Sequence, residues 1–213
     1  MTTGAEHVVP QTVTISAVRR RAAFASTASG VAGALANALL VAYLALDFAR
    51  PGAAQATLGL AACLLAALSS ALLAPVALVL GGVRLATLGA ATTACLTLTW
   101  LLLAVGTFTP PVGAHIVAGG ALALAAWLVF VCRRHTVPPR ASRFGRRAGI
   151  AALVGTLIVV VNDAVLPAGS MTWIAVLIIG GVPAAVGWFG VPAWSLRMGR
   201  WLRVTDGSDP ARP

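Results

Sequence analysis

The chain has 213 residues, of which 59% are hydrophobic and 9% charged, with a formal net charge of +10. Soluble domains carry about a quarter of their residues as charged side chains, so this composition excludes an ordinary water-soluble fold. It also excludes nucleic acid as a partner, because the basic groups stand at the ends of apolar runs and not on a folded polar face.

In chain order, residues 1–21 read as an N-terminal tail ending in Arg19, Arg20 and Arg21. Six apolar spans follow: Ala22–Leu46, Ala53–Leu80, Leu85–Gly106, Val112–Val131, Ala148–Leu166 and Met171–Val191. Each is near the ~20 residues that cross about 30 Å of hydrocarbon. The first is too long for the ~7–15-residue apolar stretch of a cleaved signal peptide and is expected to remain as an anchor. Pro75 makes a bend in the second span an expectation. Connections are short, except for Cys132–Arg147, which Pro138 and Pro139 interrupt. The expectation is an all-α polytopic bundle of six spans over 22–191, with a second tail at 192–213.

All fifteen basic residues are arginine, and with these spans fourteen fall on one side, with Arg50 alone opposite. Positively charged loops stay cytoplasmic during insertion, so both termini are expected inside. Absence of lysine with abundant alanine fits a GC-rich bacterial genome, and hence the bacterial cytoplasmic (inner) membrane. Arg133, Arg134, Arg140, Arg143, Arg146 and Arg147 between spans 4 and 5 are expected to meet anionic lipid headgroups there.

Trp173 falls at the outer edge of span 6, Trp194 and Trp201 beyond its inner edge, and Trp127 near the inner end of span 4, as interfacial aromatic belts require. Beyond Pro192, Trp194, Met198, Trp201 and Leu202 gather on one helical face, which suits an interfacial helix in the headgroup layer. The three cysteines, Cys63, Cys95 and Cys132, read as small apolar packing residues.

Span 1 carries Ser26, Gly30, Ala34, Ala38 and Ala42 at four-residue spacing, with Asn37 beside them. Small residues in such a register let helices approach closely in lipid, where apolar contact alone gives no preference for protein. The stripe is read as a helix-packing face, within the bundle or toward a homo-oligomer or membrane partner subunit.

Candidate chemistry is thin. Asp163 is the one carboxylate clearly inside a span, sixteen residues beyond Arg147, or about 24 Å along a helix. Asn162, His115 and Asp47 share its depth toward the outer side, so these four form a candidate polar cluster. No metalloprotease H-E-x-x-H, nucleophile elbow or phosphate-cradling loop occurs, and no catalytic residue, metal site or cofactor is expected. Ser170 with His115 is a weak nucleophile–base pair, because Ser170 belongs to a short loop. Three functional readings remain, led by a non-catalytic scaffold or accessory membrane subunit. The second is a small-solute transporter or substrate-binding subunit coupled through Asp163, and the third an intramembrane lipid- or isoprenoid-modifying enzyme using the same acid.

Overall fold

The computed structural model describes residues 11–49, 52–108, 110–134 and 137–204. These form six helices: α1 (Gln11–Ala49), α2 (Ala53–Leu80), α3 (Val83–Ala104), α4 (Pro110–Val131), α5 (Pro139–Val165) and α6 (Met171–Val204). The described residues include no strand. The shortest helices have 22 residues, about 33 Å at the helical rise, which suffices to cross the hydrocarbon. All six contain an apolar window suited to crossing. The chain is an all-α, multi-pass membrane bundle.

Helix ends depart from the apolar spans wherever polar residues continue a helix. Helix α1 starts eleven residues before Ala22, in the stretch expected to be a tail. No glycine or proline interrupts it before Gly30, and the helix packs against the far end of α6 from Ala22 onward. There Ala22 and Ala23 cluster with Leu202, and Arg203 donates to Thr27 Oγ1 at 2.7 Å. Helix α5 starts at Pro139, so Arg140, Arg143, Arg146 and Arg147 are helical and not loop residues. Proline suits a first helical position, because the N–H it lacks has no partner in the first turn. Helix α3 stops two residues before the expected Gly106. That glycine is left-handed (φ 72°), while Gly106 N donates to Leu103 O and Thr107 N to Leu102 O, the paired closure of a Schellman turn.

Helix α6 runs without a break through Pro183 and Pro192 to Val204. The residues beyond Pro192 therefore differ from the interfacial-helix expectation. Trp194, Met198 and Leu202 are fully buried in protein.

Each helix packs on its sequence neighbours, and α6 returns to α1, which closes a ring. The α5–α6 pairing is the most extensive, and its helices touch through their backbones. A Cβ on Gly187 would strike the Ala152 backbone, and one on Gly155 the Ala184 nitrogen. Leu73, Val76 and Leu80 of α2, Leu124, Trp127 and Leu128 of α4, and Trp194 and Met198 of α6 fill the ring at one end. Trp127 and Trp194 meet edge to face, with ring centroids 6.2 Å apart. These two indoles belong to the core and not to an interfacial belt. The reason is tertiary: α6 continues past its apolar run, and Trp194 and Met198 pack in one cluster with side chains of α2 and α4.

That same end carries the positive charge. Apart from Arg50 and Arg212, every arginine lies among the described residues. The thirteen that do occur on the N-terminal half of α1, at the α2–α3 turn, across the α4–α5 connection and on the last turns of α6.

Candidate functional site

The opposite end of the ring holds the candidate polar cluster. Asp163 stands near the end of α5 and His115 near the start of α4, and the α4–α5 pairing brings them together. His115 Nε2 lies 3.8 Å from Asp163 Oδ2, with the two side chains 57% and 48% exposed. Those exposures place the pair on the rim and not within the bundle. It is ionic only when His115 is protonated, and at such exposure an ion pair contributes roughly 0–1 kcal/mol.

Asn162, the preceding residue, turns the other way. It is buried, and its Nδ2 donates to Trp173 O at 3.1 Å, which ties the end of α5 to the first turn of α6. Among the described residues, Asn162 Oδ1 and Trp173 Nε1 are buried without a hydrogen-bond partner. Ser170 Oγ accepts from Trp173 N at 3.1 Å, an N-cap for α6. That contact gives Ser170 a structural task and sets it apart from a nucleophile. Asp47 occupies the last turn of α1, and its side chain lies outside the described residues.

Polar groups deeper in the bundle join helices. Ser29 Oγ donates to Ser69 O at 2.9 Å and Ser69 Oγ to Ser29 O at 3.0 Å, a reciprocal clamp between α1 and α2. Ser26 Oγ donates to Ser195 O at 2.7 Å, and Trp127 Nε1 to Leu85 O at 2.9 Å. Trp188 Nε1 meets Thr156 Oγ1 at 3.2 Å. Asn37 Nδ2 donates to Trp188 O at 3.1 Å. That carbonyl is four residues before Pro192, which has no N–H to give it. A side chain from α1 thus satisfies the group that the proline releases in α6, the usual condition for proline inside a membrane helix.

The small-residue stripe of α1 divides between two surfaces. Ser26 and Gly30 are buried, but Ala34 and Ala38 are exposed and Ala42 is half-buried. A helix turns about 100° per residue, so an exact four-residue repeat rotates about 40° per step and leaves the contact. The buried face instead follows Ala22, Ser26, Ser29, Gly33 and Ala36. A Cβ on Gly30 would meet Leu196 and Pro192 O, and one on Gly33 would meet Ser69 Oγ, all within 2.8 Å.

At the arginine end, a cleft of about 390 Å³ opens between the α4–α5 connection and α6. Arg133, Arg134 and Arg146 line it with Cys132, Ser142 and Trp201. Burial pushes the Cys132 thiol up to about 12, against the smaller opposing effects of the Trp194 indole and Arg146. A thiol so protonated at neutral pH is a packing group and not a nucleophile. Ser142 Oγ donates to Cys132 O and pins the connection. Arg197 lies 4.0 Å over the Phe144 ring, joining α6 to α5.

No group of three histidine, cysteine or acidic side chains able to hold a metal occurs among the described residues. No family model, curated protein or solved structure matches the chain. The Asn37–Trp188 bond, the serine clamp and the arginine cleft were not anticipated from the sequence. Only the first had a readable signal: an asparagine inside one apolar span and a proline just past the end of another.

Proposed function

We propose that this chain is a non-catalytic scaffold or accessory subunit of the bacterial cytoplasmic membrane, with both termini and the arginine end in the cytoplasm. One observation carries the reading. The ring is filled at its arginine end by fully buried Trp127, Leu128, Trp194 and Met198, and the serine and asparagine groups nearby are committed to helix–helix bonds. Such a core supports neither a substrate path through that end nor a reacting group within it. Ala34 and Ala38, turned outward on α1, supply a small-residue surface for a second copy or a partner helix. The arginine distribution supports the orientation by the positive-inside rule.

A photo-crosslinking residue at Ala34 or Ala38 is expected to capture a second chain in intact membranes, while one at Gly33, buried against α2 and α6, captures none. Absence of any crosslink from the outward positions contradicts the scaffold.

The transporter reading keeps one observation in its favour, the half-exposed His115–Asp163 pair. Asp163→Asn keeps the side chain's size and removes its charge. The scaffold predicts normal insertion and an unchanged crosslinking pattern. A folded Asp163→Asn protein that loses a proton-coupled flux in proteoliposomes favours transport instead.

A further inference from the structure

The arginine cleft has properties that topology alone does not require. Six arginines stand between the α4 and α5 spans, yet only Arg133, Arg134 and Arg146 converge on one concave wall. Among the described residues no carboxylate lies at this end of the bundle. Three like charges facing a common space repel one another unless an anion occupies it.

The cleft's backbone adds to the same field. Pro138 and Pro139 line it, and Pro139 opens the 27-residue α5. The first turn of a helix directs N–H groups outward without intrahelical acceptors. The N-cap residue, Pro138, offers no side-chain acceptor to them. Positive helix-end charge and three arginines therefore share one cleft. The arginines are also held. Arg133 lies 5.9 Å from the Phe130 ring centroid. Arg134 reaches over the α2–α3 turn, where its guanidinium lies 2.8 Å from the position a Cβ on Gly82 would take.

The other wall is apolar, formed by Val137, the two prolines and Trp201. A wholly aqueous anion has no use for it, whereas an amphiphile presents a phosphate beside a glycerol and acyl stem. The cleft begins at Cys132, the residue that follows the end of α4, at the depth where a membrane helix meets headgroups. Its volume of about 390 Å³ is in the range of small-molecule sites, roughly 300–1,000 Å³.

We infer that this cleft is a binding site for a phosphate group carried on an anionic phospholipid headgroup, held by Arg133, Arg134 and Arg146. Guanidinium forks match phosphate oxygens in pairs, which ammonium groups do not. Arg140, Arg143 and Arg147 lie outside the cleft and contribute only to the general surface potential. The inference is independent of the scaffold reading.

The test uses the full chain in mild detergent, with phosphatidylglycerol and phosphatidylcholine added separately and retained lipid read by native mass spectrometry. Phosphatidylglycerol is expected to be retained in preference to phosphatidylcholine, at one molecule per chain. The variant Arg133→Gln/Arg134→Gln/Arg146→Gln should lose that retention on the order of 100-fold, since each arginine near an anionic surface contributes about five-fold. Arg19→Gln/Arg20→Gln/Arg21→Gln removes the same charge outside the cleft and should retain the lipid. If the triple cleft variant does not fold, Arg146→Gln alone, exposed on α5, should show about a five-fold loss. Equal loss in both triple variants, or loss in neither, overturns the site. Excess inorganic phosphate that displaces the lipid from wild type supports a phosphate site and identifies a soluble phosphate compound as the alternative source.

Discussion

The two ends of the bundle are built differently. In α6 every buried residue except Gly180 lies between Gly187 and Leu202. In α3 the last buried residue is Leu96, although the helix continues to Ala104. Helix α1 shows the same bias: over residues 17–46, whose burial is described, the buried positions fall between Ala22 and Ala36. The arginine end is thus a protein core in the ordinary sense, with interdigitated indoles and backbone-to-backbone contact. Toward the other end the helices turn most of their surface outward and rely on lipid to cover it. The positive charge and the packing that fixes structure occupy the same half, where the ends of α1 and α6 bury each other.

Deleting a large side chain from the dense half should have the greatest effect. Trp194→Ala removes a fully buried indole packed on Trp127, and a loss of about 3–5 kcal/mol is expected. Trp173→Ala, half-buried near the opposite end, should lower the melting temperature in detergent by clearly less. Equal shifts would break the comparison.

Adding bulk should discriminate almost as well. Gly187→Leu forces a side chain into the Ala152 backbone, an overpacking that costs about 3 kcal/mol. A Cβ on Gly119 or Gly181 would have nothing within 4 Å of it, so leucine there should change stability by less than about 0.5 kcal/mol. Urea unfolding in mixed micelles measures all three variants.

The smallest predicted contrast concerns α1. Asn37→Leu leaves the Trp188 carbonyl without the donor that replaces the one Pro192 lacks. Hydrogen bonds between membrane helices average about 0.6 kcal/mol, and the orphaned carbonyl should raise that to about 1–2 kcal/mol. Ala38→Leu, one residue away and exposed, should be within about 0.5 kcal/mol of wild type. A larger effect at Ala38 would mean that the outward face is covered in the detergent-purified protein.

The spans were legible because the bilayer imposes one requirement, about 20 apolar residues per crossing, that local composition expresses directly. Helix ends were less so. The polar start of α1 and the arginine-bearing start of α5 are helical with no apolar run to mark them. The α6 extension through Pro192 depends on α1 to receive its freed carbonyl. Trp194 at the end of an apolar run reads as a belt residue; only its packing on Trp127 of α4 makes it core. His115 and Asp163 share a depth in sequence, whereas their meeting depends on helix order around the ring. The α1 stripe divides between the bundle interior and the outward surface for a geometric reason, since four is not 3.6.

Orientation is the central claim, because it places the packed, arginine-bearing half and its cleft in the cytoplasm. It is tested by single cysteines introduced into a protein with Cys63, Cys95 and Cys132 replaced by alanine, probed in intact cells with an impermeant maleimide. Thr107→Cys and Ala168→Cys, both at exposed positions opposite the arginines, are expected to be labelled. Arg143→Cys, exposed at the arginine end, should be labelled only after the cells are permeabilised. Labelling of Arg143→Cys in intact cells, with Thr107→Cys and Ala168→Cys protected, would contradict the account.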